Sequence, residues 1–248
     1  MNTFTLRPAT LAAPVLACIF SAGVQADTTL QAVGGGWFSN AGEHIAQNDN
    51  YVVGGGLDGY TRNNYFLFDL SGVSGTITAA TLKVYNPSAP ASPGFPFGYT
   101  SGAPSETYTL FDIAAPFYSV PLPSGNYVAG YGQGSPTGQA IFNDLGSGTS
   151  FGSTTVSLAD NGRYVEISFN SAGLAALNAG TGIFGVGGSI TTLDNLLNAE
   201  SLFASAFLST VRPNVPLLVI TSVPEPSETL LFLAGLGLVG WAVRRRRT

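Results

Sequence analysis

His44 is the side chain best suited to acid–base chemistry, because it is the only histidine in the sequence. A Ser-His-acid triad would need a serine and an orienting carboxylate beside it in space. Glu43 is adjacent and serines are plentiful, but the sequence contains no Gly-x-Ser-x-Gly segment. A lone histidine beside a loop is far more often a surface or turn residue, so we expect no triad. A zinc site is excluded in residues 27–222, which hold one histidine and no cysteine.

Carboxylates could support glycoside hydrolysis, which needs two acids about 5–10 Å apart. The candidates adjoin turns or strand ends, where aspartate caps backbone N–H groups; they are Asp69, Asp112, Asp144 and Glu166. Structural capping is therefore the favoured interpretation. We expect the protein to have no enzymatic activity.

A loop with several oxygen ligands raises the question of calcium. Glu43, Asn48, Asp49 and Asn50 lie close together, and Ca²⁺ prefers oxygen ligands. No EF-hand or repeat spacing is present, and such clusters usually form turns. The sequence therefore predicts no cofactor, with Ca²⁺ as a minority hypothesis.

Aromatic side chains are the candidates for carbohydrate contact, since sugar rings stack on their faces. Trp37 is the only tryptophan of the body, and Phe97 and Tyr99 lie in a long Pro/Ser/Gly-rich loop. The alternative is that these rings cover the ends of the folded domain.

These residues are carried by short β-prone segments separated by Gly, Pro, Asn and Asp. In residues 65–70, Phe66, Phe68 and Leu70 alternate toward one face, and in residues 76–85 Leu82 and Val84 point inward with Lys83 outward. The segment Asp160-Asn161-Gly162 predicts a hairpin turn. One short helix is expected, capped by Asn170 or Ser171, with Leu174, Ala175 and Leu177 on its apolar side and Gly180 at its end. The pattern predicts a mainly β fold, an antiparallel β-sandwich of jelly-roll type.

The charge of the body limits its partners. Residues 27–222 contain four cations and twelve anions, a net charge of −8. Such a body repels nucleic acid and anionic lipid. It also contains no cysteine, so no disulfide can form and core packing alone must stabilise it.

The N-terminus is typical of a secretory signal peptide and is predicted to form an N-terminal signal helix. Residues 1–26 contain Arg7, a short apolar core and the small residues before a cleavage point after Ala26, where signal peptidase would act. A lipoprotein site at Cys18, the only cysteine, is the weaker alternative.

The C-terminus, residues 223–248, contains three parts in a fixed order. Val223-Pro224-Glu225-Pro226 is extended and non-helical, because proline fixes φ and lacks a donor. Residues 229–243 form an apolar stretch, predicted as a C-terminal transmembrane helix, and Arg244, Arg245, Arg246 and Arg247 follow as a basic stop. The uncharged residues 230–243 would rise roughly 21 Å as a helix, which is short for a bilayer core of about 30 Å. The arginines should stay in the cytoplasm, which places the body on the exported side.

This order of parts resembles the PEP-CTERM sorting signal of Gram-negative, biofilm-forming bacteria. The resemblance implies recognition by an exosortase, a membrane enzyme with its own Cys-His-Arg site, and removal of the tail. The precursor would be anchored in the inner membrane, and the body would then reach the cell surface or the extracellular polysaccharide. The alternative is a plain anchor that is never cut, against which the short span and the Pro-Glu-Pro motif argue.

Two β-prone segments of the body, residues 64–71 and 76–85, resemble the DNRLRE-type β-sandwich domains of bacterial surface proteins. Some such relatives are thought to bind polysaccharide, but no binding residue can be transferred. We therefore predict a structural or adhesive protein of the cell envelope or exopolysaccharide matrix. The alternative is a carbohydrate-binding module or a polysaccharide-active enzyme.

Overall fold

The protein is described here by a computed structural model covering residues 25–46, 48, 50–56, 58–88, 98–118, 128–194, 199–204, 214–223, 235 and 244–245. Two antiparallel sheets form the body. The first sheet, sheet A, has four strands in the order β1 (Ala26–Gln31), β11 (Leu217–Val223), β5 (Thr76–Asn86) and β8 (Arg163–Ser168).

The second sheet, sheet B, has seven strands. Six of them follow in the order β10 (Glu200–Leu202), β3 (Val53–Gly55), β4 (Thr61–Asp69), β9 (Ile183–Ile190), β6 (Glu106–Phe111) and β7 (Ser150–Val156). The seventh, β2 (Gly34–Ser39), also pairs with β4. The helices are α1 (Pro136–Leu145), α2 (Ser171–Ala179) and a 3₁₀ turn at Leu158–Asp160.

The main core lies between the sheets, as the period-two pattern predicts. Leu82 and Val84 of β5 are fully buried, whereas Lys83 points outward and pairs with Glu166 at 2.6 Å. The apolar side chains of both sheets meet in one cluster, which includes Leu82, Val84, Ile167, Leu218 and Ile220 from sheet A and Phe66, Phe68, Tyr108, Leu110 and Val186 from sheet B. Burial of each such side chain stabilises the fold by about 1.5–3 kcal/mol. The mainly β, antiparallel prediction is confirmed.

A second core covers the outer face of sheet B. Tyr65 and Leu67 alternate with Phe66 and Phe68 along β4, yet all four are buried. Tyr65 and Leu67 pack with Phe38, Val128 and two residues of α1, Ile141 and Leu145. Strand β4 is therefore buried on both faces, which the prediction of one inward face did not include.

The predicted helix is confirmed as α2. The Asn170 side chain accepts a hydrogen bond from the Gly173 amide at 3.0 Å, and Gly180 is the C-cap. Two hydrogen bonds link this helix to the start of β5. The side-chain amide of Asn178 accepts from Ile77 N at 2.8 Å and donates to Ile77 O at 2.9 Å.

Helix α1 was not predicted, although its start signal is present. Ser135 is the N-cap and accepts from Gly138 N, and Pro136 occupies the first turn. Gly138 is required for packing, since a Cβ there would lie 1.9 Å from the Gly42 carbonyl oxygen. The sequence signal for α1 is weak because its buried apolar side consists mainly of Ile141 and Leu145, with polar residues between them.

Two further predictions differ from the structure or extend beyond it. Gly162 adopts φ +78°, as a turn requires, but the strands on either side, β7 and β8, belong to different sheets, so the hairpin prediction is wrong. The strand order does not confirm a jelly roll. The predicted signal helix lies outside the described residues, and so does the predicted transmembrane helix apart from Gly235. Within the described residues, no helix is long and apolar enough to cross a membrane.

Candidate functional site

The candidate site is the end of β11, where the chain passes from the folded body into its C-terminal segment. Strand β11 pairs with β1 on one side and with β5 on the other. Val223, the first residue of the predicted motif, lies opposite Thr76 and is the last residue of the strand. The boundary that the sequence placed between residues 222 and 223 therefore falls inside a strand.

Local contacts hold the last residues of β11 in the sheet. The Thr221 hydroxyl donates to Asp27 Oδ1 at 2.7 Å. Ser222 is 5 % exposed and lies opposite Ala26 of β1 and Ile77 of β5, next to a register shift after Thr221. These residues are part of the sandwich and not of a linker.

The loop between β4 and β5 and the end of α2 lie at the same end of the sandwich. We call this the exit end and define it by Asp27, residues 69–76, residues 178–182 and Val223. Asp69 accepts the Ser71 amide at 2.9 Å, and this hydrogen bond lowers the pKa of the Asp69 carboxyl below its usual range. A small cleft next to the loop is lined by Leu70, Val73, Ile77 and Leu177.

The remaining tail residues are only partly described. Pro224, Glu225 and Pro226 lie outside the described residues, as do Arg246 and Arg247. Arg244 and Arg245 are helical and exposed.

Residues 222–247 match the family model of the PEP-CTERM protein-sorting motif. The fold and this motif define a class, a β-sheet protein that carries a C-terminal sorting signal, and they support a PEP-CTERM protein. The motif implies an exosortase as the partner and an exported, membrane-anchored precursor. No curated protein matches the chain, and the DNRLRE-like character of the body is not confirmed.

Trp37, a candidate carbohydrate contact, is 6 % exposed in β2. The guanidinium of Arg62 lies over its ring, 4.8 Å from the ring centroid. Asp58 pairs with Arg62, and the hydrogen bond from that guanidinium lowers the pKa of Asp58. Sugar stacking on Trp37 stays a prediction and would require Arg62 to move.

Tyr99 is 9 % exposed, and its hydroxyl donates to the Ala103 carbonyl at 2.5 Å. Its backbone amide donates to Asn161 Oδ1, which also accepts from Asn86. Burial raises the pKa of the Tyr99 hydroxyl. Phe97 lies outside the described residues, so the structure does not bring the three candidate rings together.

His44 is buried and not at the surface, contrary to expectation. Its Nδ1 is 2.8 Å from the Trp37 carbonyl, which can only accept, so Nδ1 carries the proton. Nε2 then faces the Tyr65 hydroxyl at 3.4 Å, and the ring stacks on Phe38 with centroids 4.5 Å apart. These contacts give His44 a structural role in the second core.

The burial of His44 predicts a dependence of stability on pH. Desolvation lowers the pKa of His44 below 6.5, so the unfolded state binds the proton more readily than the folded state. We expect the free energy of unfolding to be unaffected above pH 6.5 and to fall as the pH drops from there toward the lower folded-state pKa. The loss is at most about 1.4 kcal/mol per pH unit.

Urea unfolding at about pH 7.5 and about pH 5.5 measures this effect, because carboxylates with ordinary pKa values near 4 contribute little in that range. His44→Phe should be less stable at both values but lose this pH dependence. Tyr65→Phe is the matched control and should keep it, since burial raises the pKa of Tyr65 and its hydroxyl does not titrate in acid. Equal pH dependence in His44→Phe and the wild type would contradict the assignment.

The candidate acids are separated and largely engaged in structural contacts. Asp112 accepts from Thr149 N, Asp144 accepts from the amides of Ala114 and Ala115, and Glu166 pairs with Lys83. No pair of these four is brought together as a glycosidase site by a contact among the described residues.

The oxygen ligands of the calcium hypothesis form turns. Asn48 Oδ1 accepts from Asn50 N at 3.1 Å, and Asn50 Oδ1 accepts from Val52 N at 2.9 Å. Asp49 lies outside the described residues. In the described part of the chain, no group of three or more acids, histidines or cysteines could hold a metal.

Among the described residues, the most deeply buried acids are Glu106 and Glu200, each 1 % exposed, and neither was predicted as a site residue. Glu106 accepts from the hydroxyls of Ser101, at 2.6 Å, and Thr192. Glu200 accepts from Asp194 N at 3.2 Å. The sequence signal for a buried acid was present at Glu106, which begins a β-prone segment and has hydroxyl residues nearby. Both acids lie at the end of the sandwich opposite the exit end.

Proposed function

We propose that the protein is exported, processed at its C-terminus by an exosortase and retained at the cell surface or in the exopolysaccharide matrix, where it has a structural or adhesive role. One observation carries the proposal: a matched sorting motif continues directly from a central strand of a folded β body. The proposal includes no enzymatic activity of the body.

The chemistry of the body supports a non-catalytic role. Its stability comes from two apolar cores, since its sequence has no cysteine for a disulfide. The described candidate acids and His44 hydrogen-bond to backbone groups or form surface ion pairs. A rigid, acidic body of this kind suits a component of a hydrated matrix.

The test is the mass and location of the chain in cells with and without the exosortase. With the enzyme, a membrane-bound precursor should convert to a shorter form outside the inner membrane. Without it, the full-length C-terminus should persist in the membrane fraction. Identical full-length chains in both strains would overturn the proposal.

A second candidate function, a carbohydrate-binding module, is favoured by the outer face of sheet A. Tyr85 and Tyr164 lie opposite each other on that face, with ring centroids 5.5 Å apart. Thr81, Lys83 and Glu166 point the same way, and the described contacts place α1 against sheet B, not sheet A. Aromatic faces flanked by polar groups are suited to sugar rings.

A pull-down of the mature protein with the host's exopolysaccharide, comparing the wild type with variants of this face, distinguishes the two roles. Loss of about two- to tenfold in affinity on Tyr85→Ala would support the module, since an aromatic contact contributes about 0.5–1.5 kcal/mol. Trp37→Phe tests the other candidate contact: a loss of affinity there, and not on Tyr85→Ala, would place the sugar on the Trp37 ring in sheet B, which lies beneath Arg62. Absence of binding by the wild type leaves the structural role.

A further inference from the structure

The distance between the folded body and the membrane is limited by the few residues that follow β11. Five residues, 224–228, separate Val223 from the apolar segment that starts at Thr229. Fully extended, five residues span at most about 18 Å. A folded body of roughly 200 residues has a radius of gyration of about 16 Å, so this tether is shorter than the body is wide. While the tail is in the membrane, the exit end must face the bilayer.

The exit end is also suited by its charge to lie against a membrane-embedded partner. Residues 70–82 and 167–193 contain no charged side chain. Among the residues that define the exit end, the charged ones are Asp27 and Asp69. In a body with a net charge of −8, an end with few acids is repelled less by anionic groups at a membrane surface than a more acidic end would be.

The pairing of β11 determines where an enzyme can first bind the chain. Enzymes that cut an extended peptide commonly hold it through main-chain hydrogen bonds, as an added strand. In a chain that begins at Asp27, the backbone of β11 is paired with β1 through Thr221 and with β5 through Val223, whose partner is Thr76. An enzyme that held the chain at Val223 or before it in this way would have to open sheet A.

From these observations we infer that the exosortase acts on the folded protein while β11 is paired between β1 and β5. It cuts a peptide bond that follows Val223, so that Val223 stays in the mature protein. It binds the exit end of the sandwich as a docking surface. The inference rests on the proposed function and adds the orientation of the substrate. The cut breaks one peptide bond in the tail. The carbonyl carbon forms a new bond to the oxygen of water or to an amino or hydroxyl acceptor at the cell surface, and the proton of that nucleophile passes to the new amino terminus of the released tail.

The first test is the carboxyl end of the mature protein, read by mass spectrometry. A mature chain that retains Val223 is expected. A wild-type chain that is never cut overturns the proposed function and this inference together. A wild type that is cut before Val223 overturns this inference alone, since sorting would still occur.

The second test locks β11 in place. Ala79 and Thr221 are paired across β5 and β11, so Ala79→Cys with Thr221→Cys can form a disulfide at the separation of paired strands. Cys18 is the only native cysteine and lies in the predicted signal peptide, so no other pairing competes in the mature body. The oxidised double variant should be cut like each single variant. Precursor that accumulates only in the oxidised double variant would show that β11 must detach, which overturns the inference.

The third test compares the two ends of the sandwich. A Cβ at Gly72, at the exit end, or at Gly102, at the opposite end, would meet nothing within 4 Å. Gly72→Trp should slow processing about tenfold, the effect of ~1.4 kcal/mol on a barrier, whereas Gly102→Trp should be processed like the wild type. Both should unfold thermally like the wild type, and Ser74→Trp provides a second exit-end variant. Equal processing of Gly72→Trp, Ser74→Trp and Gly102→Trp would overturn the docking surface.

Discussion

Glu225→Gln should leave the chain in the membrane fraction with its full C-terminus, and we expect loss of mature protein of about tenfold or more, the effect of ~1.4 kcal/mol or more on the cutting step. Glutamine keeps the size of the side chain and removes its charge. Glu225 lies between Pro224 and Pro226 in the sequence, which predicts an extended backbone around its carboxylate. Recognition of this segment should therefore depend on that charge.

Glu228 provides the matched control for Glu225. It is the only other acid in residues 223–248 and lies beyond the Pro-Glu-Pro motif, so Glu228→Gln changes the net charge of the tail equally. Intact-mass spectrometry of membrane and released fractions separates the two variants. Normal mature mass and yield for Glu225→Gln, or the same loss in Glu228→Gln, would contradict a specific role for Glu225.

Sequence periodicity predicted the elements whose side chains face one core. In β5, Leu82 and Val84 alternate with Lys83, and the structure gives that pattern. Helix α2 was predicted because Asn170 and Gly180 mark its ends. Local signals of this kind need no knowledge of which strand lies next to which.

The sequence did not predict which strands share a sheet. Asn161 and Gly162 form a turn, but a turn signal does not say whether its strands share a sheet, and β7 and β8 do not. His44 looked like a loop residue because its burial depends on Phe38, whose strand β2 was not predicted, and on Tyr65 of β4, which is distant in sequence.

The sorting site was predicted from the tail alone, because its chemistry is contained in consecutive residues. Its attachment to the body was not. That β11 is a central strand follows only from its pairing with β1 and β5, which are far away in sequence. The first two residues of the matched motif therefore belong to both the signal and the fold.

This shared strand predicts a sharp limit for truncation. A chain of residues 27–223 should unfold cooperatively in urea like the mature protein, whereas a chain of residues 27–216 should show no cooperative transition. The shorter chain lacks Leu218 and Ile220, both fully buried, and loss of a large core side chain costs about 2–5 kcal/mol each. It also removes the strand that pairs with β1 and leaves one edge of β5 unpaired.

These losses together approach the total stability of a domain, about 5–15 kcal/mol. Circular dichroism and limited proteolysis of the two chains, purified in parallel, measure the difference. The seven residues that separate them hold no charge and no catalytic group, so a difference in folding must come from β11. Cooperative unfolding of the 27–216 chain at a similar urea midpoint would show that β11 is dispensable. The body would then fold without β11, and an enzyme could bind the chain at residues well before Pro224.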